Sequence, residues 1–139
     1  ILGDGNDREK LLSLARELKI DRDIDLPGFI SNPYAYLRRA SLFVLSSIWE
    51  GSPNVLTEAL ALGTPAVATD CPSGPREILK DGAIGRLVPV GDPDALAAAM
   101  LSTLAAPPDT ALLKTAVHEY AVAFSSRRYM ELLLGTLQR

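Results

Sequence analysis

The stretch of this chain best suited to chemistry is a pair of carboxylates around a helix start. Glu50 and Glu58 stand eight positions apart, enclosing the seven residues Gly51-Ser52-Pro53-Asn54-Val55-Leu56-Thr57. An ionised carboxylate only accepts hydrogen bonds and can take two hydroxyls, so it suits the vicinal hydroxyls of a ribose or a hexose. The two share a cleft if the first sits in a loop and the second in the early turns of the helix behind it. Gly51 and Ser52 then lie beside the helix N-terminus, where free backbone N–H groups and the macrodipole favour an anion such as a diphosphate. Gly51 has no Cβ to block approach. Pro53, expected at the first helical position, has no N–H to give, which leaves Ser52, Asn54 and Val55 as the backbone donors. Spacing alone favours the plainer reading, a solvated loop glutamate and a helix-face charge. Position argues for a ligand: Glu50 follows Trp49 at a strand's carboxyl edge, and Glu58 precedes the apolar Ala59-Leu60-Ala61-Leu62.

Other reactive residues have plainer readings. His118 is the only histidine and has no Ser or Cys partner motif nearby, so a surface or packing role is expected of it rather than general-base work. Cys71 follows a strand beside Asp70, a charge that disfavours a thiolate, so it reads as passive. Asp70, with Glu77 in the next turn, reads as a helix cap before a pocket wall. Gly3-Asp4-Gly5 is a tight turn that matches neither a dinucleotide fingerprint nor a Walker lysine pattern. Tyr34 and Tyr36 flank a helix start and fit core or rim as well as ligand.

The elements that position these residues alternate between strand and helix. Ile1-Leu2-Gly3 reads as the tail of a buried strand, which raises the expectation that residues precede Ile1. Leu11, Leu12, Leu14, Ala15 and Leu18 recur at helical spacing over 7–19, and a short strand is expected at 24–26. Pro27-Gly28 opens a loop, and Asn32-Pro33 starts a helix over 34–40. The run Leu42-Phe43-Val44-Leu45-Ser46 has the pattern of a strand buried on both faces, and 65–69 and 85–90 are further strands. Helices are expected over 53–62, stopped by Gly63, over 74–79, and from Asp92 through Leu104. Lys80-Asp81-Gly82 is a turn. C-terminal helices from about 109 follow Pro107-Pro108, with Phe124, Tyr129, Leu132 and Leu133 facing inward. The order predicts an α/β fold, a doubly wound parallel sheet of Rossmann-like type, with ligands outside the carboxyl ends of the strands.

Composition bounds the function. The 139 residues, 47% hydrophobic and 22% charged, make one domain with a packed core. A net charge of −3 with paired arginines only at Arg38-Arg39 and Arg127-Arg128 argues against a nucleic-acid partner. A single cysteine excludes an intrachain disulfide and a Cys-rich zinc site, and fits a reducing compartment. No apolar stretch approaches the ~18 residues of a membrane span and no leader pattern opens the chain, so the expected location is cytoplasmic.

The segment EGSPNVLTEALALGTPAVATDCPSGPREIL resembles the donor-site signature of the retaining glycosyltransferase family 4, whose members pair two domains in the GT-B fold and carry a Glu-x7-Glu motif. ILGDGNDREKLLSLARELKI, DLPGFISNPYAYLRRASLFVLSS and GRLVPVGDPDALAAAM are similar to the same family in the same order, so the resemblance covers essentially the whole chain. It implies a nucleotide-diphosphate sugar as ligand, most often a UDP-sugar, transferred with retention, with no metal or other cofactor. Glu50 would hold hydroxyls of the sugar and help stabilise oxocarbenium charge, and Glu58 would hold the ribose. Main-chain groups from Ser52 to Val55 would meet sugar and diphosphate, and Phe29 and Ile30 the base. Position 52 is more often aromatic in such motifs, so Ser52 alters the wall of the sugar pocket. The family's diphosphate-clamping Arg and Lys, its acceptor site and a catalytic histidine belong to segments before Ile1. The expectation is therefore a donor domain inactive in isolation, partnered by an N-terminal acceptor domain and, in the full enzyme, by the inner membrane surface. The alternatives are a non-catalytic nucleotide-binding module and a nucleotide-sugar epimerase domain, which shares the architecture.

Overall fold

The structure, a computed structural model, describes residues 1–120. Phe124, Arg127, Arg128, Tyr129, Leu132 and Leu133 lie outside the described residues. Two compact units make up the chain, one of Ile1–Ala35 and one beginning at Tyr36.

In the first unit, helix α1 (Arg8–Glu17) follows the Gly3-Asp4-Gly5 turn. Its last turn closes with Lys19 in the left-handed region (φ 59°), whose N–H donates to Arg16 O while that of Ile20 donates to Ala15 O. The expected stripe is only partly covered: Ala15 is buried, but Leu14 and Leu18 are exposed. The strand expected at 24–26 does not form. A single parallel bridge joins Leu2 to Gly28, with Gly3 N–H donating to Gly28 O at 2.9 Å, and Pro27 has no N–H with which to extend a ladder. Helix α2 (Tyr34–Leu37) begins in this unit and ends in the second; it is shorter than the 34–40 expected, its end reduced to turns at Arg39 and Ala40.

The second unit is built on a parallel sheet of β1 (Phe43–Leu45), β2 (Ala66–Thr69) and β3 (Arg86–Val88), in that order. Phe43 registers with Ala66, and Val67 with Arg86. Helix α3 (Asn54–Ala61) crosses from β1 to β2, α4 (Pro75–Ile78) from β2 to β3, and α5 (Pro93–Ala105) and α6 (Thr110–Ala116) follow, with a short 3₁₀ turn at His118–Tyr120. Strand β2 is buried at every residue, and its alternation shows what covers each face. Ala66 and Ala68 join a core with Leu45, Leu56, Leu60, Ile78, Leu79, Ile84, Leu113 and Val117, supplied by α3, α4, α6 and the segments beside them. Val67 is equally buried but points to the opposite face, where α5 packs on β2 and β3. Helices therefore cover both faces, as the alternating order predicts. Strand β1 is the correction: it is an edge of this sheet, so Phe43 and Val44 are only half-buried and β2 is the strand enclosed on both sides.

Helix α3 carries the densest packing. Leu56, Ala59 and Leu60 are fully buried, and each leucine contributes about 1.5–3 kcal/mol by leaving water. Its C-terminus is sealed by Gly63 (φ 85°), whose N–H donates to Leu60 O while Thr64 N–H donates to Ala59 O, the paired bonds of a Schellman motif. Thr64 is buried and donates its hydroxyl to Leu37 O at 2.6 Å. Among the described residues no single helix is long and apolar enough to cross a membrane.

Candidate functional site

Both glutamates belong to the connection that leaves the carboxyl end of β1. Glu50, half-buried, sits in the loop before α3, and Glu58, also half-buried, lies in the helix's second turn. Ser47 Oγ donates to Glu50 Oε1 at 2.6 Å. Thr69, the buried last residue of β2, directs its hydroxyl to Ser47 O at 2.5 Å, with Leu45 O further off at 3.3 Å. The neighbouring strand thus fixes the turn from which Glu50 projects. Ile48 and Trp49 stand out from the same loop, Trp49 at 72% exposure.

The start of α3 differs from expectation in one useful detail. Pro53 is the cap residue rather than the first helical one, and its φ of −74° and ψ of 81° make it the centre of an inverse γ-turn. Asn54 N–H is consumed by that turn, donating to Ser52 O at 2.9 Å, so Asn54 is not an open backbone donor. Leu56 N–H closes on Pro53 O at 2.9 Å. The amides of Ser52 and Val55 have no acceptor among the described residues, and no side chain caps the helix. These two remain of the three expected. Gly51 and Ser52 are exposed.

A second loop, after β2, backs the first. Gly74 (φ 92°, ψ −62°) lies so close that a Cβ there would stand 2.4 Å from Pro53 Cδ and 3.5 Å from Gly51 O. Glu50 N–H reaches Pro72 O at 3.4 Å. Asp70 does not cap α4, contrary to expectation. Its carboxylate takes Arg76 in a two-point pair, through Nε at 3.1 Å and through Nη2, and Asp81 adds a 3.5 Å contact. The Asp70 hydrogen bond and charge raise the Arg76 pKa above its ordinary value. A fork of five N–H donors outcompetes the helix start for a nearby carboxylate. Glu77 is exposed in the first turn of α4. Cys71 is buried and free, and His118 is exposed in the 3₁₀ turn.

In the first unit, Phe29 is 83% exposed and Ile30 half-buried, both just beyond the Leu2–Gly28 bridge. Concave depressions occur beside Gly3, Asp4 and Arg8, and between Asp81, Arg86 and Ala98; Glu50 and Glu58 line neither. Among the described residues no group of His, Cys, Asp and Glu is arranged to hold a metal ion.

The parallel α/β sheet thus carries a carboxylate-bearing loop and an uncapped helix start at its carboxyl edge, where ligands bind in folds of this class. Residues 1–120 match the model of the glycosyl transferases group 1, and the chain belongs to that family. It is 47% identical over 79 residues to an uncharacterized glycosyltransferase of Methanocaldococcus jannaschii, covering 57% of this chain and 20% of that protein. It is 33% identical over 138 residues to the lipopolysaccharide core biosynthesis glycosyltransferase LpsE of Rhizobium meliloti, covering 96% of this chain and 40% of the relative. The fold superposes on the lipopolysaccharide outer core galactosyltransferase WaaB in its apo form with a TM-score of 0.86 at 26% identity, over 98% of this chain and 40% of that one. Its structural neighbours are GT-B glycosyltransferases, and the fold is the Rossmann-like half of that architecture. The chain thus spans between 20% and 40% of the length of these relatives.

Proposed function

We propose that this chain is the donor domain of a retaining, family 4 glycosyltransferase that binds a UDP-sugar and transfers the sugar in the assembly of a surface glycan. The observation that carries the reading is the joint placement of Glu50 and Glu58. One lies in the loop leaving β1 and the other in the second turn of α3, on either side of a helix start with open amides at Ser52 and Val55. Glu50 accepts from hydroxyls of the sugar ring and lends negative charge to the reacting carbon as oxocarbenium character develops. Glu58 accepts from the ribose, and the Ser52 and Val55 amides meet the diphosphate. Base contact by Phe29 and Ile30 rests on the family resemblance and on the exposure of Phe29.

Transfer by this reading proceeds without a metal, the leaving diphosphate assisting. By this reading the acceptor side of the cleft is supplied by an N-terminal acceptor domain, as in the two-domain architecture of its structural neighbours. The lipopolysaccharide glycosyltransferases among its relatives support a glycoconjugate as the product, and by the same reading the full enzyme works at the cytoplasmic membrane surface.

Calorimetric titration with UDP, UDP-glucose, UDP-galactose and their N-acetyl derivatives tests the reading. Glu58→Gln is expected to weaken all of them by about tenfold, roughly 1.4 kcal/mol. Glu50→Gln is expected to weaken the sugar nucleotides by a similar factor and leave UDP unchanged. Absence of saturable binding, or binding indifferent to both substitutions, counts against the proposal.

A further inference from the structure

Glu50 is restrained by more than its own backbone. Its Oε1 receives the Ser47 hydroxyl at 2.6 Å, and Oε2 has no protein partner among the described residues. Ser47 is restrained in turn, because its carbonyl accepts the hydroxyl of Thr69 at 2.5 Å. Thr69 has one hydroxyl proton, so this shorter contact takes it and Leu45 O at 3.3 Å is secondary. Thr69 itself is buried at the end of the strand enclosed on both faces. A continuous path therefore runs from the sheet to one carboxylate oxygen: Thr69 fixes the Ser47 backbone, and the Ser47 side chain fixes Oε1.

A glutamate loses considerable rotamer freedom when a ligand orders it, and a carboxylate already ordered binds without that loss. The serine hydroxyl is suited to the task. It supplies one donor, satisfies one oxygen and stops there, whereas an arginine or lysine would cover both oxygens and compete with the sugar. We infer that Ser47 is a positioning residue for Glu50, holding Oε1 so that Oε2 is presented to a sugar hydroxyl. This rests on the reading of Glu50 as the sugar-binding carboxylate. A serine that merely shaped the loop would lower stability and affect every ligand alike.

The readout is the ratio of UDP-sugar to UDP affinity, measured by calorimetry on the chain with UDP-glucose, UDP-galactose and their N-acetyl derivatives. Ser47→Ala is expected to lower that ratio by roughly five- to tenfold with UDP affinity unchanged, and Ser47→Thr, which keeps the hydroxyl, to restore it. Should the alanine variant not fold, Ser47→Cys, near in size and a weak donor, reads the same ratio. If Glu50→Gln lowers the ratio and neither Ser47→Ala nor Ser47→Cys does, the positioning role is overturned and the reading of Glu50 stands. If Glu50→Gln leaves the ratio unchanged, the reading of Glu50 fails and takes this inference with it.

Discussion

The helices of the second unit begin in two different ways. Helices α5 and α6 open on aspartates that close them: Asp92 Oδ1 accepts from Ala95 N–H and Asp109 Oδ1 from Ala111 N–H, each at 2.8 Å. Helices α3 and α4 open on Pro53 and Gly74, which have no side-chain acceptor to give. Lying at the carboxyl edge of the sheet does not separate the two kinds, since α5 follows β3 just as α3 follows β1. The difference is whether the chain caps its own amides. Omitting a cap costs about 1 kcal/mol, which α3 offsets many times over by burying Leu56 and Leu60. Its amides at Ser52 and Val55 stay available to an anion. Helix α4, a single turn, serves instead as a wall, with Gly74 set against Pro53.

That wall offers the most damaging way to test the contrast. Gly74→Ala places a Cβ 2.4 Å from Pro53 Cδ at a backbone conformation that L-residues rarely adopt. Backbone strain of roughly 1–3 kcal/mol and overlap of a similar size together predict a loss of about 3 kcal/mol. Urea denaturation should show the midpoint fall at constant slope. UDP-sugar affinity of the folded fraction should fall too, because relief of the overlap moves Pro53 and with it the α3 start. A variant of unchanged stability and affinity would show that the two loops are not coupled.

Much of this arrangement is legible in the sequence. Asp92-Pro93 and Gly63 announce a capped start and a sealed end, and the apolar runs through Val44 and Val67 announce parallel strands, of which only the second is buried throughout. What local pattern misses is competition between partners. Asp70 precedes a helix and so reads as its cap, but Arg76, one turn further on, presents a guanidinium that binds it first. Asn54 reads as an open amide, but the fixed φ of Pro53 admits the γ-turn that consumes it. Ile24 to Leu26 reads as a strand, but a ladder needs a partner, and Leu2 supplies one bridge. Ser47 is the instructive omission. Its spacing of three before Glu50 is visible in the sequence, yet only the Thr69 bond from the next strand shows that this turn is fixed.

The other end of α3 supplies the contrasting case. A Cβ on Gly63 would stand 2.3 Å from Thr110 Cγ2 and 3.0 Å from Lys114 Cε, at a φ of 85°. The lysine end can move away, but Thr110 at the first turn of α6 has less freedom. Gly63→Ala is expected to cost about 2 kcal/mol, read from the urea midpoint. UDP-sugar affinity of the folded protein should not change, because the strain falls at the end of α3 away from Ser52 and Val55. A loss of affinity without a loss of stability would mean that the two ends of the helix do not act separately.

The smallest expected effect makes the sharpest distinction between the two kinds of helix start. Asp92→Ala removes the acceptor of the Ala95 N–H and should destabilise by about 1 kcal/mol, within the usual range for a lost cap. The same substitution frees an amide at the start of a helix thirteen residues long, which gives α5 the open donors that α3 already has. If open amides at the sheet's carboxyl edge were enough to hold a diphosphate, this variant would acquire a second UDP site. The expectation is a stoichiometry of one by calorimetry, because α5 lacks what surrounds the start of α3: a Glu50 anchored by Ser47, a Glu58 one turn in, and a glycine beside the cap that brings a second loop into contact. A stoichiometry of two would make the helix start itself the determinant and reduce the two carboxylates to bystanders.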